Sequence, residues 1–173
     1  MIRSFKNFTP SIHKTAYIDE QATVIGDVTI GKDSALWPQA VARGDINKIT
    51  VGDRTNIQDG AILHVTHVSE YCPSGYPLSI GNDVTIGHSA VIHACTIGNQ
   101  VLIGMGSIIL DGAIVPSNTM IAAGALIGPG KTLDSGFLYV GSPAKKLREL
   151  SAKELKFLLY SAEGYVALKN QYL

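Results

Sequence analysis

Only two cysteines, Cys72 and Cys95, occur among the 173 residues. That scarcity argues against a disulfide framework and makes a reducing cytoplasm the expected setting. Charge is scarce too. Charged residues make up 16% of the chain, and neither sign prevails, with 14 Lys plus Arg against 14 Asp plus Glu. Such a balance gives no field to draw nucleic acid or an anionic membrane, and it leaves part of the surface to be covered by other subunits. Long apolar runs are missing, since the most apolar stretch, residues 101–115, is broken by Gly and Asp before it could span a bilayer. Residues 1–10 have neither the apolar centre nor the cleavage pattern of a secretory signal. With 46% hydrophobic residues the chain is not disordered, and its length fits one domain over 1–173.

What the sequence has in abundance is a period of six. Ile12, Ile18, Val24, Ile30 and Leu36 fall six apart, as do Val51, Ile57 and Leu63, then Ile80, Ile86 and Ile92, and finally Ile97, Ile103, Ile109, Val115, Ile121, Ile127 and Leu133. The step from Ile92 to Ile97 is five, so the phase slips once there. Gly often follows the aliphatic residue, as in Ile80-Gly81 and Ile103-Gly104. Six matches neither a helix nor a simple strand. It suits a chain that turns a corner every six residues, with Gly, Asn and Asp at corners where positive φ is cheap. Three short sides make a triangular coil of about 18 residues, and stacked coils pair as parallel strands roughly 4.8 Å apart around inward ladders of Val, Ile and Leu.

The repeat spans about 11–140. Two segments interrupt it. Residues 40–51, holding Arg43-Gly44-Asp45, are expected to form a short protrusion, and residues 65–78 a longer loop. Gly141-Ser142-Pro143 ends the repeat. Ser151 with Glu154 forms a capping box, and Leu155, Leu158, Leu159, Ala162 and Val166 follow at helical spacing. A C-terminal α-helix is therefore expected over 151–172, packed on a flank of the β-helix, with Gly164 a point of weakness.

Of five histidines, His13 stands alone in the first coil. His64 and His93 are 29 residues apart across the loop, which allows adjacent coils near one edge. His88 lies nearly one side away from His93, so a single chain does not easily join all three. A threefold oligomer does, by facing a neighbour's His88 to His64 and His93. Three neutral imidazoles with an open fourth position describe a catalytic zinc site, and iron or cobalt suits the same donors. Cys95, near two of these histidines, reads first as a small buried core residue.

Several elements together resemble the γ-class carbonic anhydrases, particularly their small bacterial branch, over nearly the whole chain. They are Arg43-Gly44-Asp45, Asn56-Ile57-Gln58-Asp59, His64, the run from Gly87-His88 to His93, Ile103-Gly104-Met105-Gly106-Ser107 and Gly141-Ser142-Pro143-Ala144. The resemblance implies a left-handed parallel β-helix of hexapeptide repeats and a homotrimer with a zinc at each interface. It also implies a lyase that reversibly hydrates CO2 to bicarbonate with a zinc-held hydroxide. Carried over by position, His64 and His93 of one subunit and His88 of the next bind the metal. Gln58 bonds the reacting oxygen or substrate, and Asn56 holds the adjoining network. Arg43 pairs with Asp45 or Asp59 near the interface, and Tyr165 lines the site, with Tyr160 near enough to compete. In the best-characterised branch glutamates export the proton. Here Ile46 follows Asp45 and the loop holds only Glu70, so His67 or Glu70 is left for that role and turnover is expected to be modest.

Two other readings share the scaffold. A hexapeptide acyltransferase using acyl-CoA needs one histidine as general base and no metal. A non-catalytic metal-binding trimer keeps the histidines without turnover.

Overall fold

Every residue from 1 to 173 is described by the computed structural model, and the period of six builds the whole of its scaffold. Three inward ladders run through it, one for each side of the triangle. Ile18, Leu36, Ile57, Ile86, Ile103 and Ile121 stack in direct register. Ala42, Leu63, Ile92, Ile109 and Ile127 form the second ladder. Ile12, Ile30, Val51, Ile80, Ile97 and Val115 form the third. Most of these side chains are fully buried in one continuous cluster, and all the pairings named are parallel. The chain is a left-handed parallel β-helix of about 8 turns. A further strand, Ile2–Arg3, pairs with Val24 and Ile25 at the open end. No helix is long and apolar enough to cross a membrane.

Three expectations need amending. The expected Gly, Asn and Asp do hold corners of positive φ, among them Gly60, Gly106, Gly112, Gly124, Asp33, Asp83 and Asn118, but Arg54 and Gln100 hold others, and Gly31, Gly52, Gly81 and Gly98, which follow the aliphatic residues, have ordinary φ. Their missing Cβ serves coil-to-coil contact. A Cβ on Gly52 would lie 2.5 Å from Asn82 Oδ1 and 2.6 Å from the Gly81 carbonyl oxygen, closer than neighbouring coils can tolerate. Gly52→Ala is accordingly expected to cost about 1–3 kcal/mol by overpacking, seen as a lowered urea midpoint at unchanged m.

Second, the protrusion within residues 40–51 is confined to a bulge at residues 45–48. The segment forms the eleven-residue strand Val41–Val51, paired with Thr23–Ile30 around a corner, with a register shift between Gly26 and Val28. The two strands lie side by side at Gly26 and Gly44, which are register partners, and a Cβ on Gly26 would sit 2.3 Å from the Gly44 carbonyl oxygen. The extra residues of the longer strand form a bulge that carries Asp45. Residues 65–78 do leave the coil, in a loop closed at its base by an antiparallel bridge between Thr66 and Tyr76.

Third, the repeat does not simply stop at Gly141-Ser142-Pro143. Phe137–Val140 turns back on Lys145–Glu149 as an antiparallel pair, and this hairpin covers the last coil. The helix spans Ala152–Lys169 rather than reaching 172. Its capping box is formed as expected, with the Ser151 side chain accepting from the Glu154 amide and Glu154 accepting from the Ser151 amide. Its buried line is narrower than the sequence stripe. Leu158, Ala162 and Lys169 are buried, whereas Leu155 and Leu159 are each 37% exposed. Lys169 donates to the Thr15 carbonyl at 2.7 Å and to Asp33 at 3.2 Å. Gly164 does not interrupt the helix. The helix lies against the side bearing Ala35–Leu36, Asn56–Ile57 and Thr85–Ile86, which sets one wall of the groove described next.

Candidate metal centre

Alternation along a strand turns Leu63 and Ile92 inward and so turns His64 and His93 outward. The two histidines are direct register partners. His64 Nδ1 and His93 Nε2 approach to 3.1 Å. The other nitrogen of each ring meets a carboxylate: His64 Nε2 is 3.1 Å from Asp45 Oδ1, and His93 Nδ1 is 2.6 Å from Asp111 Oδ1. Asp45 is held in turn by Arg43 at 2.5 Å, and Asp111 by the Thr66 hydroxyl. Burial alone would raise both carboxyls, but Arg43 and His64 overcome it at Asp45, as Thr66 and His93 do at Asp111, and both stay below the usual carboxylate range. Burial pushes His64 below its ordinary value, with Arg43 adding to the effect against Asp45.

This arrangement fixes the tautomers. A carboxylate accepts only from an N–H, so Asp45 places the proton of a neutral His64 on Nε2, and Asp111 places that of His93 on Nδ1. The two nitrogens that face each other at 3.1 Å then present lone pairs with no proton between them. Two nitrogens each about 2.0–2.1 Å from one tetrahedral zinc stand roughly 3.3–3.4 Å apart. The donor set, its spacing and its carboxylate backing all fit a divalent cation.

A second cluster lies apart from the first. His88 Nδ1 is 2.8 Å from Asp59 Oδ2, and its side chain is 45% exposed. By the same logic its Nε2 is left as a free lone pair. His88 borders a groove of about 340 Å³, shared with Gln58, Met105, Ser161 and Tyr165. Gln58 Nε2 donates to Asn56 Oδ1 at 3.1 Å, and both side chains are buried. Asn56 is a strand residue, so it is not there for corner geometry. Tyr165 packs edge-on against Trp37 at 5.9 Å, and burial raises its phenol, with Asp59 adding to the shift. Tyr160 is 68% exposed and stands outside this groove.

The expected site residues thus fall into two separate clusters. Arg43, Asp45, His64 and His93 form one; Asn56, Gln58, Asp59, His88 and Tyr165 form the other. No three His, Cys, Asp or Glu side chains of the chain converge on one point. Of the two pairings open to Arg43, the structure has Asp45. His67 belongs to neither cluster. It is exposed and lines a groove of about 530 Å³ with Asp45, Lys6 and Lys48. Cys95 is a core residue, 2% exposed, its thiol pushed up to about 12 by burial with Asp111 adding. Asp111, Thr66, Thr85 and Ser161 were missed. Asp111 had a legible signal, since it follows His93 by 18 residues, one full coil.

Comparison with known proteins narrows the chemistry. The family model for bacterial transferase hexapeptide (six repeats) matches residues 94–129. Protein YrdA of Escherichia coli (strain K12) is 52% identical over 173 residues, covering 100% of this chain and 94% of that one. Gamma carbonic anhydrase 1, mitochondrial, of Arabidopsis thaliana is 44% identical over 156 residues, 90% of this chain but 56% of the plant protein, so this chain spans little more than half of that relative. The crystal structure of a hexapeptide transferase family protein from Anaplasma phagocytophilum has a TM-score of 0.91 at 43% identity, covering 99% of this chain and 98% of that one.

Proposed function

The chain belongs to the hexapeptide-repeat family, with γ carbonic anhydrases among its relatives, and on that basis we propose that it is a metal-dependent carbonic anhydrase-like homotrimer that reversibly hydrates CO2. The observation that carries this reading is the carboxylate on each histidine of the expected ligand set: Asp45 on His64, Asp59 on His88 and Asp111 on His93. Metal-binding imidazoles characteristically have such a partner. The other two histidines lack one.

In this reading His64 and His93 of one subunit and the His88 of the next hold zinc, with iron or cobalt as possible occupants. The metal, when bound, supplies the Lewis acidity that lets water act as a nucleophile near neutral pH. The three aspartates fix the tautomer and the orientation of the imidazoles, and Arg43 balances Asp45. Gln58, held by Asn56, orients the small polar ligand without adding charge, and Tyr165 closes the groove. As the oxygen of water adds to the carbon of CO2, one proton must leave for solvent. His67, exposed and lining with Asp45 a groove separate from that of Gln58 and Tyr165, is the chain's candidate to carry it. Turnover limited by that step should rise when imidazole buffer is added. His67→Ala should lower the rate in weak buffer and be rescued by imidazole, as read by stopped-flow CO2 hydration; an unchanged buffer dependence would remove His67 from the role.

The test of the whole reading is purification without added metal, followed by light scattering, elemental analysis and CO2 hydration. Three copies of the 18.4 kDa chain give about 55 kDa, with close to one metal per chain and measurable hydration. The acyltransferase reading, favoured by the name of the Anaplasma relative, instead expects acyl-CoA turnover with no metal.

A further inference from the structure

A chain of hydrogen bonds runs outward from the groove to the helix, with its direction fixed as far as Thr85. The Asn56 side chain lies 3.4 Å from the Val84 carbonyl oxygen and 3.0 Å from Thr85 Oγ1. A backbone carbonyl only accepts, so the Asn56 atom facing it is the amide nitrogen. Asn56 Oδ1 therefore faces Gln58 and accepts from Gln58 Nε2. Thr85 Oγ1 accepts from Asn56 and also shares a hydrogen bond with Ser161 Oγ, 3.0 Å away on the helix, in which either hydroxyl can donate. The Asn56 and Gln58 links each have one direction. At the groove end the Gln58 carbonyl oxygen has no partner within the chain and belongs to a side chain lining the groove with His88.

We infer that Thr85 and Ser161 are positioning residues that lock Asn56, and through it Gln58, so that Gln58 turns its carbonyl oxygen rather than its amide toward the groove. The consequence for the ligand rests on the reading of that groove as a substrate site. An acceptor oxygen there favours a ligand with an O–H to donate, such as water or the hydroxyl of bicarbonate, and disfavours anions that only accept. The helix is thereby tied to the groove through Ser161, which lies one turn before Tyr165.

The test uses Thr85→Val, which keeps the shape and removes the hydroxyl, Thr85→Ser, which returns it, and Ser161→Ala. In the intact protein kcat/KM for CO2 hydration should fall about tenfold in Thr85→Val, the effect of one lost buried hydrogen bond, at unchanged metal content. Thr85→Ser should recover most of that loss, and Ser161→Ala should show a smaller fall. Nitrate, which only accepts, should inhibit Thr85→Val more tightly than wild type, because Gln58 is then free to turn its amide outward. Equal losses in the Val and Ser variants, or unchanged nitrate inhibition in Thr85→Val, overturn the inference. An inactive wild type refutes the proposed function instead. The lock is then decided by deuterium exchange of the Gln58 side-chain amide, which should quicken at least about tenfold in Thr85→Val if that hydrogen bond is freed. An unchanged exchange rate overturns the inference whatever the reaction, and an unchanged Ser161→Ala overturns the helix's part in it.

Discussion

His93→Ala should release the metal and abolish most CO2 hydration while the β-helix stays folded. The imidazole contributes one of two nitrogens that converge at 3.1 Å, and its loss leaves His64 alone in that cluster. Lewis acidity of a bound metal is worth several kcal/mol of barrier, so at about 1.36 kcal/mol per tenfold the rate should fall roughly a thousandfold or more. His93 points outward and adds nothing to the inward ladders, which hold the burial energy. Circular dichroism should remain that of wild type as elemental analysis registers the loss. Full metal occupancy in the variant would mean that His93 is not a ligand.

Ile86→Ala should show the reverse pattern. Ile86 is fully buried and stacked between Ile57 and Ile103. Removing three of its side-chain carbons leaves a cavity that rigid neighbouring coils cannot close, because each coil is hydrogen-bonded above and below. The expected cost is about 2–5 kcal/mol, or roughly 5–15 °C in melting temperature for a chain of this size. The backbone around His88 keeps its bonds, including that from the Gln58 amide to the Ile86 carbonyl, so at low temperature metal content should stay near wild type. A variant that melts like wild type would show that the ladders are not the seat of stability.

The contrast between these two residues shows what could be read from sequence. A ladder position is periodic by necessity, since a side chain that fails to point inward every six residues exposes the core, and Ile86 could be placed without any structure. Histidines could be found because their type is rare and their chemistry narrow. Asp111 and Asp45 sit with them only because coils stack at intervals near 18, an interval that the loop at 65–78 stretches to 29 between His64 and His93. The strand Lys145–Glu149 was not legible, because all five residues are exposed and carry no alternation. The glycines were legible only in part: those with positive φ stand at corners as expected, but Gly52 and Gly81 are required by close coil packing instead. Nor could the sequence give the link from Gln58 to Ser161, which joins residues 103 apart through hydroxyls that are common everywhere.

The proposed sharing of a metal centre between subunits is tested most directly by mixing them. His88→Ala and His93→Ala are each expected to be metal-poor and inactive as homotrimers. Unfolded together in equal amounts and refolded, they form hybrids in which an interface is whole when its His64 and His93 come from the first variant and its His88 from the second. Random assembly makes about one quarter of interfaces whole in a closed cyclic trimer. Metal content and CO2 hydration of the mixture should therefore recover to about a quarter of wild type, although neither variant recovers when refolded alone. A mixture as empty and inactive as its components would contradict a centre shared between subunits.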